Sequence, residues 1–255
     1  MSIETKKIIE ILIFVGLAVL ASGLGSLPFA LLSKIKNKDK IIYWSSVFAA
    51  GLMLGVSAIL IYEGMQLSFW KTIVGLALGL LFINLTSWIV KGWWKMEWAK
   101  KLFFSHMPHK DFAKAILIIG GMSFHAIAEW IWLGVWFAKG EQLGILLALA
   151  MMFHNIPEWM AVAGILVPRK VPWLVAWWWA VFTSMPQLIF AILAYIFVTI
   201  FEGLLPVGLG FAAWSMVRLG TSEVFLEAQK IRPGRKTILI TAILAILTIC
   251  VELFI

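Results

Sequence analysis

Two apolar stretches of the sequence each carry a histidine and a glutamate one helical turn apart. The first contains His125 and Glu129, and the second contains His154 and Glu158. Positions i and i+4 of a helix share a face, so each pair places an imidazole beside a carboxylate. Both groups are ligands that suit zinc and its neighbouring divalent metals. Two such pairs facing each other predict a cage for one divalent cation.

The composition indicates that this cage lies inside a lipid bilayer. Hydrophobic residues make up 62% of the 255 positions and charged residues only 13%, against about 45–50% and about 25% in soluble domains. We therefore predict an all-α polytopic membrane protein. Fifteen tryptophans fit this class, because indole rings collect at membrane interfaces. The lone cysteine, Cys250, excludes an internal disulfide and argues against a thiolate metal site.

Polar residues divide the sequence into eight predicted transmembrane helices within a single membrane domain, 1–255. Most exceed the roughly 20 residues that a spanning helix needs. Their bounds are 8–32, 41–66, 69–90, 114–138, 142–167, 172–200, 204–229 and 237–254. The first is too long for the apolar part of a signal peptide, which covers about 7–15 residues. We expect it to remain as a membrane helix.

The connections between these spans alternate in charge, which predicts the topology. Connections one, three, five and seven hold most of the 21 Lys and Arg residues, whereas those around 67–68, 139–141 and 201–203 are short and nearly neutral. Basic loops stay in the cytoplasm, so both termini are predicted to lie outside. The net charge of +8 follows from this bias. Because the basic residues are scattered over short loops, no nucleic-acid partner is indicated.

The longest connection, 91–113, is predicted to be a cytoplasmic amphipathic loop. It places Trp93, Trp94 and Trp98 among lysines, a pattern typical of a segment that lies on the membrane surface. Short loops and the absence of a targeting segment favour a multi-pass protein of the cytoplasmic membrane.

Counting along the fourth and fifth spans places both pairs near the bilayer midplane. His125 follows the cytoplasmic end of its span by about 16 Å, and His154 follows the outer end of its span by a similar rise, each roughly half of a 30 Å core. The two spans form an antiparallel hairpin, so the histidines should be level. Pro157 cannot donate to the carbonyl of Phe153, and a freed carbonyl in a bilayer needs another partner such as a metal or water. The alternative is that these polar groups only hydrogen-bond the helices together.

The stretch His154-Asn155-Ile156-Pro157-Glu158 resembles the HNxPE core of the fifth helix in ZIP (zinc/iron-regulated transporter-like) metal permeases. The stretch from His125 to Glu129 is similar to the motif of their fourth helix. Further similarity covers most of the chain, and its segments are Gly23 to Pro28 in the first span, Phe48 to Met53 in the second, Ser184 to Gln187 in the sixth and Ser222-Glu223 in the seventh.

The resemblance implies a transporter of divalent cations and not an enzyme. The cargo would be Zn²⁺ first, with Fe²⁺, Mn²⁺, Co²⁺ or Cd²⁺ as alternatives. It implies metal ligands at His125, Glu129, His154, Asn155 and Glu158, with Gln187 close by. It also implies a four-helix bundle of spans one, four, five and six packed on the other four spans, with both termini outside, and a homodimer in the bilayer.

The sequence departs from the family pattern beside each motif glutamate. Family members carry glycine there, whereas this chain has Trp130 and Trp159. A carboxylate of the sixth helix in many relatives is replaced by Gln187, so we predict one metal site and not two. Tryptophans in place of small residues could narrow the path, which leaves a transport-inactive metal-binding relative as an alternative. An intramembrane metalloenzyme is a further alternative, but the sequence offers no HExxH pair and no nucleophile.

Arg218 lies within the seventh predicted span, where a permanent cation needs an anionic partner. Glu63, Glu129 and Glu158 on other spans are the candidate partners. One hypothesis is that the guanidinium replaces the charge of a missing second metal. The alternative is that the side chain reaches a carbonyl or the membrane interface.

Overall fold

The structure is a computed structural model, and it describes the backbone of residues 3–27, 29, 38–92, 109–167 and 171–253. Within these ranges the chain is helical apart from short connections, and no residue in them forms a β-strand. The predicted all-α class is therefore confirmed. Most of the predicted surface loop 91–113 lies outside the described residues.

We number the described helices α1 to α8 in chain order. A single helical stretch, Lys38–Gly92, is broken at Ser68, and its two halves are α2 (38–67) and α3 (69–92). The others are α1 (Ile3–Ser22, followed by a 3₁₀ turn at Gly23–Ser26), α4 (His109–Lys139), α5 (Glu141–Leu166), α6 (Trp173–Ile196), α7 (Val198–Leu219, continued by a π-helical turn at Gly220–Phe225 and by Leu226–Ile231) and α8 (Arg235–Leu253).

Four helical segments among the described residues are long and apolar enough to cross a bilayer. They are Thr5–Ser26, Ile42–Trp88, Trp173–Ile196 and Val198–Ile231. The second has 47 residues, and a straight helix of that length would measure about 70 Å, more than twice a hydrocarbon core of about 30 Å. The chain is a multi-pass membrane protein, and the arrangement of eight spans with both termini outside remains a prediction.

The break at Ser68 turns the long segment into a hairpin. Ser68 has extended dihedral angles (φ −166°, ψ 109°) between two helical halves. A Cβ added to Gly64 would lie 2.9 Å from Oγ1 of Thr72. In a straight helix, residues 64 and 72 would be separated by about 12 Å along the axis. The chain therefore reverses at Ser68, which is where the hydropathy pattern predicted the second span to end and the third to begin.

Contacts between helix ends gather the neutral connections at one end of the molecule and a basic one at the other. Lys139 forms an ion pair with Glu202 (2.7 Å), and Nζ of Lys71 donates to the carbonyl of Gly203 (2.8 Å). At the opposite end, the guanidinium of Arg232 lies 5.0 Å from the ring centre of Tyr43. Neutral and basic connections at opposite ends of the molecule are the arrangement that the alternating loop charges predict.

Helix α7 differs from its predicted span in two respects. The preceding break falls at Phe197 and not at the neutral residues 201–203, because the sequence on both sides of Phe197 is equally apolar and hydropathy cannot mark the junction. The chain is also locally underwound by a π-helical turn at Gly220–Phe225. Gly220 in that turn faces α2, where an added Cβ would lie 3.3 Å from Cβ of Met53.

Helices α1, α4, α5 and α6 share a core, and we call them the first helix group. The buried residues of this core are Ile11, Val15, Ala18 and Val19 of α1, Ala126, Trp130, Leu133 and Phe137 of α4, Ala148 and Met151 of α5, and Val181 and Ala191 of α6. A hydrogen bond of 3.0 Å between Ser184 and Ser22 also joins α6 to α1. The grouping agrees with the four-helix bundle that the family resemblance implies.

Helices α2, α3, α7 and α8 form the second helix group, which is built on close backbone contact. A Cβ on Gly75 of α3 would lie 2.1 Å from the carbonyl oxygen of Val207 in α7, and one on Gly210 of α7 would lie 2.4 Å from that of Thr72. Small residues permit such approach between helices in membranes, where van der Waals packing replaces the hydrophobic effect. A larger cluster that contains Met53 of α2 and Trp159 of α5 joins the two groups.

Candidate metal site

Both predicted His–Glu pairs lie in helical backbone, as the sequence predicted. Residues 125–129 lie inside α4 and residues 154–158 inside α5, each in an uninterrupted helix. The side chains of His125, His154 and Glu158 lie outside the described part of the structure. Glu129 is described, and its side chain is buried, with 2% of the residue exposed. The shared face of each pair follows from backbone geometry, and the ligand roles remain predictions.

Helix α5 continues through Pro157 to Leu166. Proline has no N–H group, so the carbonyl of Phe153 has no donor at the position one turn later. An oxygen acceptor is therefore left within one turn of His154 and Asn155. In a hydrocarbon environment such a carbonyl must be satisfied by water, a side chain or a metal ion.

Two buried amides are the clearest sign of a ligand site. Asn155 on α5 and Gln187 on α6 are both 0% exposed. In both residues, the side-chain amide oxygen and the amide nitrogen lack a hydrogen-bond partner in the structure. An unsatisfied buried polar group costs about 1–3 kcal/mol, and native proteins contain few of them. The family resemblance implies Asn155 as a metal ligand and Gln187 as a residue close to the site.

Two buried serines near the amides, by contrast, are satisfied locally. Ser184, one turn from Gln187 on α6, donates to the carbonyl of Ala180 (3.0 Å) and to Ser22. Ser22 in turn donates to the carbonyl of Ala18 (3.2 Å). The bond between Ser184 and Ser22 joins α6 to α1. Asn155 and Gln187 do not serve that purpose, because their amides bond to no neighbouring helix.

The two tryptophans that replace the family glycines are fully buried. Trp130 belongs to the core of the first helix group, and Trp159 to the cluster that joins the two groups. Each is 0% exposed, and neither indole N–H has a hydrogen-bond partner in the structure. Successive helical residues point about 100° apart, so each indole projects away from the face of the glutamate that precedes it.

A small cavity of about 40 Å³ opens between the two helix groups beside Glu129. Its wall includes Glu63 of α2, which the sequence offered only as a partner for Arg218. The other lining residues are Val56, Ile59, Leu60, Trp132 and Met151. The sequence did not predict that Glu63 lies near the His–Glu pairs. Its position beside Glu129 depends on how α2 packs against α4.

Arg218 lies in the last turn of α7 before the π-helical turn. Gly64, the neighbour of Glu63, packs on Leu209, which lies about 13 Å along α7 from Arg218. Among the residues that the structure describes, no ion pair joins Arg218 to a carboxylate. The choice among Glu63, Glu129 and Glu158 as its partner stays a prediction, and the role of the guanidinium remains a hypothesis.

The described side chains alone do not complete a metal site. Among them, no group of three His, Cys, Asp or Glu residues lies close enough to hold an ion. Glu129, Asn155 and Gln187 are the part of the predicted ligand set that the structure describes in full. They supply one carboxylate and two neutral amides, and the imidazoles would have to come from His125 and His154.

One comparison with known proteins bears on function. Over 216 residues, which are 82% of this chain, the sequence is 33% identical to a protein of Arabidopsis thaliana named "Putative zinc transporter". This chain spans about a third of the length of that relative, since the aligned part is 33% of it. No family model matches the chain.

Proposed function

We propose, from the relation of this chain to the ZIP-like zinc transporters, that it moves a divalent metal cation across a membrane. The cargo is zinc, and the ion binds between α4 and α5. Its ligands are His125, Glu129, His154, Asn155 and Glu158, and Gln187 lies beside them on α6. The plant relative carries the same substrate in its name, which supports a transporter over an enzyme.

The chemistry of the ligand set suits a transported ion and not a trapped one. Imidazole and carboxylate groups bind Zn²⁺ well, whereas the amide oxygens of Asn155 and Gln187 carry no charge and bind it more weakly. A site that mixes the two can strip water from the ion and still release it, as conduction requires. The carboxylates also compensate the charge of the ion where the surroundings are apolar.

The observation that carries the proposal is the pair of unsatisfied amides at Asn155 and Gln187. Burial without a partner makes the empty site unfavourable, and a hydrated cation removes that penalty. The proposal also includes eight spans with both termini outside, a homodimer, and the cytoplasmic membrane as the location.

The buried amides lead to a prediction that combines stability with binding. Replacing Gln187 by the similarly shaped methionine should raise the stability of the metal-free protein by about 1–3 kcal/mol, since no hydrogen bond is lost and the burial of two polar atoms is avoided. The same variant should gain less stability from zinc than the wild type does. Thermal unfolding of the purified protein in detergent, with and without Zn²⁺, measures both effects.

Leu188→Met is the matched control for Gln187→Met. Leu188 is a partly buried neighbour in the core of the first helix group, and a leucine-to-methionine change conserves volume and costs less than about 1.5 kcal/mol. Its response to zinc should equal that of the wild type. A lower melting temperature of metal-free Gln187→Met would show that the amide has a structural role instead.

Uptake of ⁶⁵Zn²⁺ into proteoliposomes tests the proposed transport directly. The wild-type protein should give time-dependent uptake above that of protein-free vesicles. The alternative, a metal-binding protein that does not transport, is favoured by the buried indoles of Trp130 and Trp159. It predicts zinc binding in detergent together with uptake no greater than in empty vesicles, an outcome that would reject the transporter.

A further inference from the structure

The connection between α7 and α8 is a strongly basic turn at one end of the molecule. We call residues 230–236 the basic turn. All of its cationic residues are exposed, and they are Lys230, Arg232, Arg235 and Lys236. One segment that is long and apolar enough to cross a bilayer ends at Ile231, and another begins at Ile42. The basic turn therefore lies at a membrane–water interface.

Hydrogen bonds fix the shape of the basic turn. The N–H group of Gly234 donates to Oε1 of Gln229 (3.1 Å), and the hydroxyl of Thr237 donates to the carbonyl of Arg232 (2.7 Å). Gly234 has a φ of 131°, which glycine adopts without a steric penalty. The hydroxyls of Thr237 and the buried Tyr43 of α2 are hydrogen-bonded at 3.1 Å. The turn is thus anchored to α2, α7 and α8, which all belong to the second helix group.

Three cations of the basic turn are not neutralised by carboxylates. Among the residues that the structure describes, no ion pair involves Arg232, Arg235 or Lys236. Lys230 lies 3.7 Å from Glu227, so its charge is partly compensated. The basic turn therefore presents a fixed excess of positive charge to its surroundings.

Lysines at the opposite end of the molecule are bonded to the protein itself. Lys139 forms its ion pair with Glu202 at 2.7 Å, and Lys71 donates to the carbonyl of Gly203 at 2.8 Å. Their charges are engaged within the chain, whereas those of Arg235 and Lys236 are not. Free cationic groups at the interface are thus a particular property of the end that carries the basic turn.

The surface next to the basic turn is apolar. Helix α8 begins at Arg235, and its exposed side chains include Ile238, Leu239, Ile243, Ile246 and Leu247. Leu239, Ile243 and Leu247 follow one another at intervals of four residues, so they share a face of the helix. Positive charge therefore stands at the head of an exposed apolar face. A molecule with an anionic head and apolar chains matches both parts of this surface, whereas a soluble anion matches only the first.

We propose that the basic turn binds the headgroup of an anionic phospholipid, whose acyl chains pack along the exposed face of α8. Arg235 and Lys236 contact the phosphate, and Arg232, stacked 5.0 Å from the ring centre of Tyr43, adds to the positive field. Anionic lipids are enriched in the cytoplasmic leaflet and attract basic segments beside membrane helices, and this connection is predicted to face the cytoplasm. The site belongs to the second helix group alone and does not depend on the proposed metal transport.

The test measures the binding of dioleoyl-phosphatidylglycerol and dioleoyl-phosphatidylcholine to the full-length protein in a neutral detergent by native mass spectrometry. The wild type should bind phosphatidylglycerol more tightly. The double variant Arg235→Gln/Lys236→Gln should bind it about 25-fold more weakly, since each basic residue near an anionic lipid surface contributes about fivefold. Its Kd for phosphatidylcholine should not change. Equal affinity of the wild type for the two lipids, or an unchanged Kd for phosphatidylglycerol in the folded double variant, overturns the proposal.

Two matched variants separate the charge of the site from other effects. Lys71→Gln/Lys139→Gln removes the same number of charges at the opposite end and should bind phosphatidylglycerol as the wild type does. Arg235→Lys/Lys236→Arg keeps both charges and should also retain the wild-type Kd. A loss of affinity in the first variant equal to that in Arg235→Gln/Lys236→Gln would show that only the net charge matters, which rejects a localised site.

Measurements on the wild type decide the question even if the neutralised variant does not fold. Raising the salt concentration should weaken the binding of phosphatidylglycerol and not that of phosphatidylcholine, because exposed charges are screened. Absence of this difference contradicts the proposal. Glycerol phosphate, which has the anionic group but no acyl chains, should bind far more weakly than phosphatidylglycerol, and equal affinity would reject a lipid site in favour of a site for soluble anions.

Discussion

His154→Ala should abolish zinc uptake while leaving a folded protein. The imidazole is the central member of the proposed ligand set on α5, with Asn155 next to it in the sequence and Glu158 one helical turn away. Alanine is a better helix former than histidine, so the helix itself should persist. Mutating a residue that only hydrogen-bonds to a metal ligand typically costs about 10–100-fold in metal affinity or activity. Loss of a direct ligand should therefore reduce the uptake rate about a hundredfold or more. Initial rates of ⁶⁵Zn²⁺ uptake into proteoliposomes measure this.

The control for His154→Ala is the same substitution at His106. His106 belongs to the predicted cytoplasmic loop 91–113 and not to the proposed ligand set, so its variant should transport at the wild-type rate. Elution profile and melting temperature establish that both variants are folded. Undiminished flux through folded His154→Ala would show that the ion does not pass between α4 and α5.

Gly75→Ala should prevent the second helix group from assembling. The added Cβ would lie 2.1 Å from the carbonyl oxygen of Val207 and 2.9 Å from its carbon. Both atoms belong to the backbone of α7 and cannot move aside as a flexible side chain would. Overpacking in a core typically costs 1–3 kcal/mol, and contact with a helix backbone should bring this substitution to about 3 kcal/mol. The yield of monodisperse protein in detergent and its melting temperature should both fall.

Gly16→Ala is the matched control, because an added Cβ at Gly16 of α1 meets no atom within 4 Å. Alanine is favoured over glycine in a helix by about 0.8–1.0 kcal/mol, so this variant should be as stable as the wild type or more so. The same substitution is therefore expected to act in opposite directions at two membrane helices. Equal melting temperatures of the two variants would refute the close approach of α3 and α7.

The features that the sequence predicted depend on local pattern. Hydropathy located the reversal at Ser68, and helical spacing put Glu129 and Asn155 inside α4 and α5. Both results follow from the composition of a few neighbouring residues. The family resemblance then added Gln187, which is far away in the sequence, and its buried amide proved to be unsatisfied in the same manner as that of Asn155.

The features that the sequence did not predict depend on packing between distant segments. Glu63 reaches the cavity of Glu129 only because α2 lies against α4, and no spacing rule connects positions so far apart in the chain. The break at Phe197 is hidden by continuous apolar sequence. The buried position of Trp130 is likewise a tertiary result, since the residue type fits the membrane interface as well as a core.

The π-helical turn in α7 changes which residues of that helix can meet α2. A helix advances about 100° per residue, and a π-helical turn accommodates one residue more than an α-helical turn does. Gly220 contacts Met53, and further along Ala228 packs with Tyr43 and Val47 of the same helix. Removing one residue from Gly220–Phe225 would rotate Ala228 by roughly that angle away from α2. A helical wheel drawn through α7 as one regular helix would therefore assign its final turns to the wrong neighbour.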